Sequence, residues 1–324
     1  MTDFRTFSHN LAKSIGLQCT GLMRRSRLSL LIGLLTLGLW SGQAVWAANF
    51  ETILIRLGYN HTKYAPKPEE NDIVRRFAAY TTCFDGEDDD DGDGTPDKWA
   101  IPHWVAYEIK RYPGQLPDPP KHPSTWITDR TLFTQGIAPR DDSYHYSENR
   151  QRESPKSLQL GFDRGFMCMR RHALRLGEDA YWNAHTLLNA CPQKSKLSRG
   201  IWLDLGRKIA DWADDFGSLW IITGPVIYNN KPLMWLGQKG EVPVAIPDAF
   251  FKIVARIRDG RPQVLAFIYP QEGIAYKRTG GYDHTPYLTS VDVIETLTGL
   301  DFFSEVPDHV ESEIERVVQI RLWD

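Results

Sequence analysis

The order of apolar and polar positions predicts strands first, then one amphipathic helix, then further strands. The helix is predicted over 199–216, where Ile201, Leu205, Ile209, Trp212 and Phe216 recur at three- and four-residue spacing. Strands are predicted where β-branched and aromatic residues concentrate, at 75–84, 102–109, 219–228, 242–247, 250–258 and 263–269. Strands followed by a packed helix and then by antiparallel strands indicate an α+β fold.

Turn and cap residues add detail to this pattern. Asp259-Gly260 separates the last two strands, which predicts a hairpin. Ser198 precedes the amphipathic helix and is predicted to be its N-cap. A second, short helix is predicted over 290–300, with a serine at its start and Gly299 at its end.

The first 47 residues have the composition of a secretory signal peptide. Arg24, Arg25 and Arg27 precede an apolar run over 28–40, and Val45-Trp46-Ala47 fits a cleavage site. The apolar run is shorter than the roughly 20 residues that a spanning helix needs. We therefore predict an exported protein with three parts: a signal peptide (1–47), an N-terminal segment (48–98) and one main domain (99–324).

Charge does not decide the class of partner. The leader holds five bases and one acid, so its removal lowers the formal net charge from −3 to −7. Eight of the remaining acids lie in 85–97, whereas 194–208 holds five bases and one acid. Phosphate binding depends on the local field rather than on the net charge.

The acidic run contains a pattern typical of a calcium loop. Asp89, Asp91, Asp93 and Asp97 alternate around Gly94, which would bring several carboxylates onto one hard cation. The bidentate Glu that usually closes such a loop is missing, because Ala100 stands in that position. The alternative is a solvated acidic linker.

Two stretches on either side of residue 180 carry the chemistry. The first is Asp163-Arg164-Gly165-Phe166; the second begins with Asn189-x-x-Pro-Gln and continues to Ser198-x-Gly-x-Trp. Together they resemble the paired signature of the DNA/RNA non-specific endonucleases, the ββα-metal nucleases. The resemblance extends over about 99–303 and includes Pro-x-x-Val-Ala-Tyr at 102–107.

The resemblance implies a fold and a mechanism. The fold would be a central antiparallel sheet with helices on its faces and a ββα element at one edge, built from a strand at Asp163, a strand ending near Asn189 and the helix after Arg199. In the family, a His is the general base, an Asn holds one Mg²⁺, a Glu orients the waters of the metal, and the Arg binds phosphate. DNA and RNA would be cut without sequence specificity.

This chain departs from that pattern at three positions. Phe166 replaces the general-base His, Ser198 replaces the metal-binding Asn, and Gly206 replaces the Glu. The resemblance leaves Arg164 and Asn189 at catalytic positions, and it leaves a basic set for nucleic acid made of Arg164, Lys194, Lys196 and Arg199, with Arg170 and Arg171 nearby. Loss of the base alone removes a contribution of roughly 10²- to 10⁴-fold, so we expect weakened or absent cleavage.

Neighbouring side chains offer no evident replacement for the missing groups. Asp204 should face solvent on the helix, and an extended chain would carry His172 about 20 Å from Phe166. His185 is predicted to be a half-buried structural residue.

Three cysteines remain after the leader, and two of them flank the halves of the signature. The resemblance brings Cys168 and Cys191 together, so one disulfide with Cys83 left over is predicted. Three buried free thiols are the alternative.

Three functions remain open at this point. The chain is an exported nuclease with a feeble site that uses Mg²⁺, a non-catalytic relative that binds nucleic acid, or an envelope structural protein stabilised by calcium.

Overall fold

A computed structural model describes residues 58–86, 98–145, 162–237, 240–277 and 281–323. The signal peptide and the acidic calcium-loop pattern lie outside these residues, and the three-part division of the chain remains a prediction. The strands are β1 (Ile73–Arg76), β2 (Thr81–Phe84), β3 (Pro102–Lys110), β4 (Phe162–Phe166), β5 (Ala190–Lys194), β6 (Ser218–Val226), β7 (Trp235–Leu236), β8 (Val244–Ala245), β9 (Ala249–Arg258), β10 (Arg261–Pro270) and β11 (Leu288–Thr289).

The helices of the described residues are short except for one. They are α1 (Arg130–Thr134), α2 (Arg170–Ala173), α3 (Glu178–Asn183), α4 (Ser195–Ser198), α5 (Ile201–Phe216), α6 (Val291–Thr298) and α7 (Asp308–Glu315). None of them is both long enough and apolar enough to cross a bilayer.

An antiparallel sheet of seven strands organises the described residues. Its order is β1-β2-β3-β6-β9-β10-β11, and all of its strand pairs are antiparallel. Helices cover both faces, so the central strands are buried on both sides and lack a polar face. Phe250 and Val254 of β9 join one core, and Phe251 and Ile253 join the other. The α+β prediction with a central antiparallel sheet is confirmed.

The hairpin between β9 and β10 forms across the predicted turn. Asp259 and Gly260 both have positive φ (52° and 74°), which is the requirement of a two-residue type I′ turn. Arg258 and Arg261 pair on either side of it. The cap prediction for α6 is also confirmed, because the Ser290 hydroxyl accepts from Val293 N–H and Gly299 closes the helix in the left-handed conformation.

The region 75–84 was predicted as one strand but forms two. β1 and β2 pair with each other, and a tight turn joins them in which Phe77 N–H donates to the carbonyl of Tyr80 at 2.8 Å. The rings of Phe77 and Tyr80 stack at 4.7 Å, and this contact across the turn favours the reversal.

The amphipathic helix begins two residues later than predicted. α5 buries Ile201, Leu205, Ile209 and Trp212 as expected, but its N-cap is Gly200. Ser198 ends the separate helix α4 and does not cap α5, so that prediction is wrong. A Cβ on Gly200 would overlap the backbone there, which explains the glycine at this junction.

β4 and β5 form a separate two-stranded ribbon that leads into α4 and α5. The second strand was predicted to end near Asn189, but it starts just after that residue. The second strand of the ββα element is therefore β5. Asp163 pairs with Gln193, and Gly165 pairs with Cys191. A Cβ on Gly165 would overlap the Gln193 side chain, so only glycine fits between these strands.

The predicted disulfide is wrong. Cys83, Cys168 and Cys191 are free and buried, which is the alternative that the sequence left open. Burial in the apolar core raises the pKa of Cys168 and Cys191, so both thiols stay protonated and behave as small hydrophobic groups.

Candidate functional site

A cleft of about 970 Å³ lies where β4, α2 and the first half of α5 meet. All three positions at which the chain departs from the nuclease signature border it: Phe166, Ser198 and Gly206. The lining contains two aspartates, Asp163 and Asp211, against a larger basic set. Its arginines are Arg164, Arg170, Arg171, Arg175, Arg199 and Arg207.

Phe166 ends β4 and presents an aromatic face where the resemblance expects a base. Its ring lies 4.6 Å from the ring of Trp126 and 5.2 Å from that of His185, with Arg170 at 5.9 Å. The Phe166 carbonyl accepts a hydrogen bond from the Trp202 indole at 3.0 Å, which fixes the strand end against α5. The ring has no atom that accepts a proton, so this position contributes packing alone.

Gly206 leaves room that another side chain fills. A Cβ added to Gly206 would lie 2.9 Å from Cε of Met169, so the methionine thioether occupies the direction in which a glutamate would project. The Gly206 carbonyl accepts from Nε2–H of His172 at 2.7 Å. Within α5, this glycine therefore allows close packing of two residues from the segment after β4.

His172 approaches the site but is held in a structural role. The chain turns into α2 soon after β4, so the extended-chain estimate of its distance does not apply. Its Nδ1 accepts from the Tyr107 hydroxyl at 3.1 Å, and its Nε2–H is used by Gly206. Burial lowers the pKa of His172 to about 3, so its ring stays neutral at physiological pH. With both nitrogens engaged, it cannot act as the missing base.

Asp204, predicted to face solvent, is bound on the other side of α5. It accepts from Nε2–H of His284 at 2.9 Å and from the backbone N–H of Tyr282 at 3.4 Å. The prediction failed because the partners come from 80 residues further along the chain. Asp204 does not line the cleft and cannot replace a glutamate at position 206.

Four arginines that the sequence places in or near the phosphate-binding set line the cleft. Two of them, Arg164 and Arg199, are held by carboxylates. Nε of Arg164 lies 2.6 Å from Asp141, and its guanidinium rests over the Tyr144 ring. Arg199 forms two hydrogen bonds with Asp163, at 2.8 and 2.6 Å. These pairs fix the guanidinium groups in place and leave Arg199 69% exposed.

The two predicted lysines lie outside the cleft. Lys194 rests over the Phe162 ring at 4.4 Å and lies 3.3 Å from Glu272. Lys196 is exposed on α4. Arg170 and Arg171, which the sequence placed near the basic set, line the cleft together with Arg207. No carboxylate of the described residues pairs with any of these three arginines.

Asn189, predicted at a catalytic position, lies behind the cleft. It is fully buried, its Oδ1 accepts from Cys168 N–H at 2.8 Å, and its Nδ2 donates to the carbonyls of Cys168 and Ala184, both at 2.9 Å. Because the side chain binds only backbone, Asn189 clamps the turn after β4 onto the start of β5.

Two cleft residues were missed in the Pro-rich loop. His122 and Trp126 line the cleft opposite Phe166, and the His122 ring lies 4.7 Å from that of His185. In the sequence, the feature that could have identified them is a pair of ring-bearing residues four positions apart in a segment otherwise rich in proline. His185 was predicted to be half-buried and is fully buried. Its Nδ1–H donates to Tyr181 O at 2.9 Å, and burial lowers its pKa to about 4.

The described lining of the cleft does not gather the donors that a divalent metal needs. Ser198 offers one neutral hydroxyl, Gly206 and Phe166 offer nothing, and Asp163 is already bound to Arg199. Asp211 and His122 also border the cleft, but no group of three candidate ligands forms in its described lining. Among the described residues, the one group of three candidate ligands lies elsewhere, at Asp292, Glu295 and Glu315. The lining therefore does not fit the Mg²⁺ that the family resemblance implies.

Comparisons with known proteins agree on one family. The family model described as "DNA/RNA non-specific endonuclease" matches residues 60–309. The chain is similar to a nuclease of Serratia marcescens (28% identity over 221 residues; 65% of this chain, 72% of that protein). It is also similar to mitochondrial nuclease 1 of Schizosaccharomyces pombe (30% over 209 residues; 56% of this chain, 61% of that protein).

A solved structure matches at the level of the fold. The crystal structure of an EndoG/EndoGI complex aligns with a TM-score of 0.51 and 18% identity, over 73% of this chain and 88% of that one. This match shows that the two proteins share a fold.

Proposed function

Because the chain belongs to the DNA/RNA non-specific endonuclease family, we propose that it binds nucleic acid in its arginine-lined cleft and cuts it weakly or not at all. One observation carries this proposal. A single cleft combines six arginines with Phe166, Ser198 and Gly206 at the positions where a base, a metal ligand and a carboxylate are expected.

Phosphodiester hydrolysis needs a deprotonated water, stabilisation of the phosphoryl oxygens and help for the leaving oxygen. The cleft arginines support the second requirement. No group at Phe166 can deprotonate the water. Ser198 and Gly206 replace the residues that would assist the leaving oxygen. Neither His172, whose nitrogens are engaged, nor the buried His185 fills the gap, and His122 is the remaining histidine of the described lining.

Binding draws on charge and on aromatic surface. Arg170, Arg171 and Arg207 present cations to phosphate, and the rings of Trp126 and Phe166, tilted against each other, offer aromatic surface beside them. Base–aromatic stacking contributes roughly 1–3 kcal/mol per base and tolerates any sequence. This combination favours DNA and RNA without sequence specificity.

We propose further that the protein acts after export, with its leader removed after Ala47, and that the acidic pattern at Asp89, Asp91, Asp93 and Asp97 binds calcium. The support for both is the sequence alone.

The test of cleavage is a plasmid-nicking assay in Mg²⁺, with chelator as the control. The unaltered protein, Phe166→His, and the triple change Phe166→His, Ser198→Asn, Gly206→Glu are compared at equal concentration. A fourth protein adds Met169→Ala to the triple change, because the methionine fills the space that the new glutamate needs.

We expect little cutting by the unaltered and singly changed proteins, and the strongest gain in the fourth, since catalytic groups that act as a unit give non-additive effects. Rapid Mg²⁺-dependent cutting by the unaltered protein, abolished by chelator, would overturn the proposal of a degenerate site.

The test of binding is fluorescence anisotropy with labelled DNA and RNA over a range of salt concentrations. Affinity should fall as salt rises, and changing Arg170, Arg171 and Arg207 to Gln should weaken binding and flatten that salt dependence. The matched pair is Arg207→Gln and Arg261→Gln, which each remove one charge; Arg261 lies on the exposed hairpin turn away from the cleft, so only Arg207→Gln should weaken binding. Equal loss in both variants, or no binding in the unaltered protein, contradicts a binding role for the cleft.

A further inference from the structure

Three carboxylates converge on the face of the sheet opposite the cleft. α5 packs on one core, whereas α6 contributes Val291 and Ile294 to the other. Asp292 and Glu295 lie one turn apart on α6, and Glu315 ends the neighbouring α7. Each of the three offers an oxygen within 4.8 Å of the oxygens of the other two.

Glu315 is the residue that points to a ligand. It is 8% exposed, and its Oε1 is buried with no hydrogen-bond partner among the described residues. A buried carboxylate without a partner is costly, so native structures rarely keep one without compensation. Glu315 also occupies the last turn of α7, where the helix dipole is negative and disfavours an anion.

Neighbouring carboxylates add to the cost of ionising the buried Glu315. Burial, and then the carboxylates of Glu295, Glu311, Asp292 and Asp301, raise the pKa of Glu315 to about 8. Burial also raises the pKa of Glu295, against a lowering by the hydrogen bond from Phe302 N–H. The charged groups that act on this cluster are thus acidic, and no ion pair of the described residues neutralises Glu315.

We propose that Asp292, Glu295 and Glu315 bind a divalent cation, with calcium as the best fit. Carboxylate oxygens are the ligands of hard cations, and Ca²⁺ accepts an irregular shell of carboxylates and waters, whereas Mg²⁺ demands near-ideal octahedral geometry. Asp292 is exposed, so water can complete the irregular coordination shell that Ca²⁺ accepts.

Such an ion would join α6 to α7. Glu295 already ties α6 to the following loop through Phe302 N–H, at 2.9 Å from one of its oxygens. The other Glu295 oxygen remains for the cation, which would add a link to the end of α7. The site shares no residue with the cleft lining or with the acidic pattern at 89–97.

The experiment is calorimetric titration of the metal-free mature protein with Ca²⁺ and with Mg²⁺, together with melting temperature. Glu315→Gln and Asp292→Asn are compared with Glu313→Gln, an exposed residue of the same helix. An Asp91→Ala background separates this site from the acidic pattern.

We expect one Ca²⁺ per chain to be lost in Glu315→Gln and Asp292→Asn, along with the rise in melting temperature that this ion causes. Both should be kept in Glu313→Gln and in the Asp91→Ala background. Without added metal, Glu315→Gln should melt higher than the unaltered chain.

Two outcomes overturn the proposal. One is Ca²⁺ binding and stabilisation that persist unchanged in both Glu315→Gln and Asp292→Asn. The other is no Ca²⁺ binding to the unaltered protein in the Asp91→Ala background, which would leave Glu315 as a protonated buried acid.

Discussion

Replacing Lys252 by methionine should stabilise the protein most at acidic and neutral pH. Lys252 lies on β9 and is fully buried, and its Nζ has no hydrogen-bond partner among the described residues. The ammonium sits 3.8 Å from the centre of the Trp202 ring. Burial lowers the pKa of Lys252 from 10.5 to about 7, and the Cys168 thiol opposes this only in part.

The free-energy cost of burying the charged Lys252 follows from the change in its pKa. At about 1.4 kcal/mol per pH unit, a fall from 10.5 to about 7 corresponds to on the order of 4 to 5 kcal/mol. Below pH 7, both the folded and unfolded states bind the proton, so the full penalty is present. Between pH 7 and 10.5 the unfolded state binds a proton that the folded state has released, so stability rises with pH. Above 10.5 the penalty has vanished.

Methionine removes the titrating group and keeps most of the volume. The lost cation–π contact offsets part of the gain, because such contacts contribute about 2 kcal/mol when desolvated. We therefore expect Lys252→Met to be more stable than the unaltered protein by about 1 to 4 kcal/mol at pH 6. The advantage should shrink steadily toward pH 10.

The assay is urea unfolding of both proteins at pH 6, 7.5 and 9. Lys196→Met, on the exposed surface of α4, is the control and should show no pH-dependent difference. A Lys252→Met protein that is less stable than the unaltered chain at pH 6, or a difference that does not change with pH, would refute the reasoning.

Three other predictions follow from the described contacts and from the sequence. Asn189→Ala should lower the free energy of unfolding by about 2–4 kcal/mol in urea, because it leaves buried backbone groups of the β4–β5 clamp without partners; an effect under 1 kcal/mol would contradict the clamp. Calcium should raise the melting temperature through the acidic pattern, and Asp91→Ala should remove that part of the rise; an unchanged rise in the variant assigns it elsewhere. Terminal sequencing of the exported protein should begin at Ala48 or within a residue or two, and an intact leader would contradict cleavage.

Features that depend on neighbours in sequence were predictable. The Asp259-Gly260 turn needs two residues with positive φ, and the dipeptide supplies them. The ends of α6 are set by a serine hydroxyl and a glycine, both within the helix termini themselves. The nuclease signature also placed Phe166, Ser198 and Gly206 at one cleft, as the described residues show.

Features that depend on distant residues were not predictable. The pairing of Asp204 with His284 joins positions 80 residues apart, and no local pattern signals it. The same holds for Met169 against Gly206 and for Trp126 against Phe166. Cysteine spacing was misleading, because nearness of Cys168 and Cys191 in the family fold does not require a bond between them.

The retained and the replaced signature residues differ in what their side chains do. Asn189 binds three backbone groups around the β4–β5 ribbon, and Trp202 of α5 binds the end of β4, so both hold the ribbon in place whether or not the cleft performs chemistry. Phe166 and Gly206 now bury apolar surface, against Trp126 and Met169 respectively. The scaffold therefore does not depend on the catalytic groups for its stability. A cleft of this kind can lose cleavage and keep its fold and its cationic surface, which is why binding and cutting have to be measured separately.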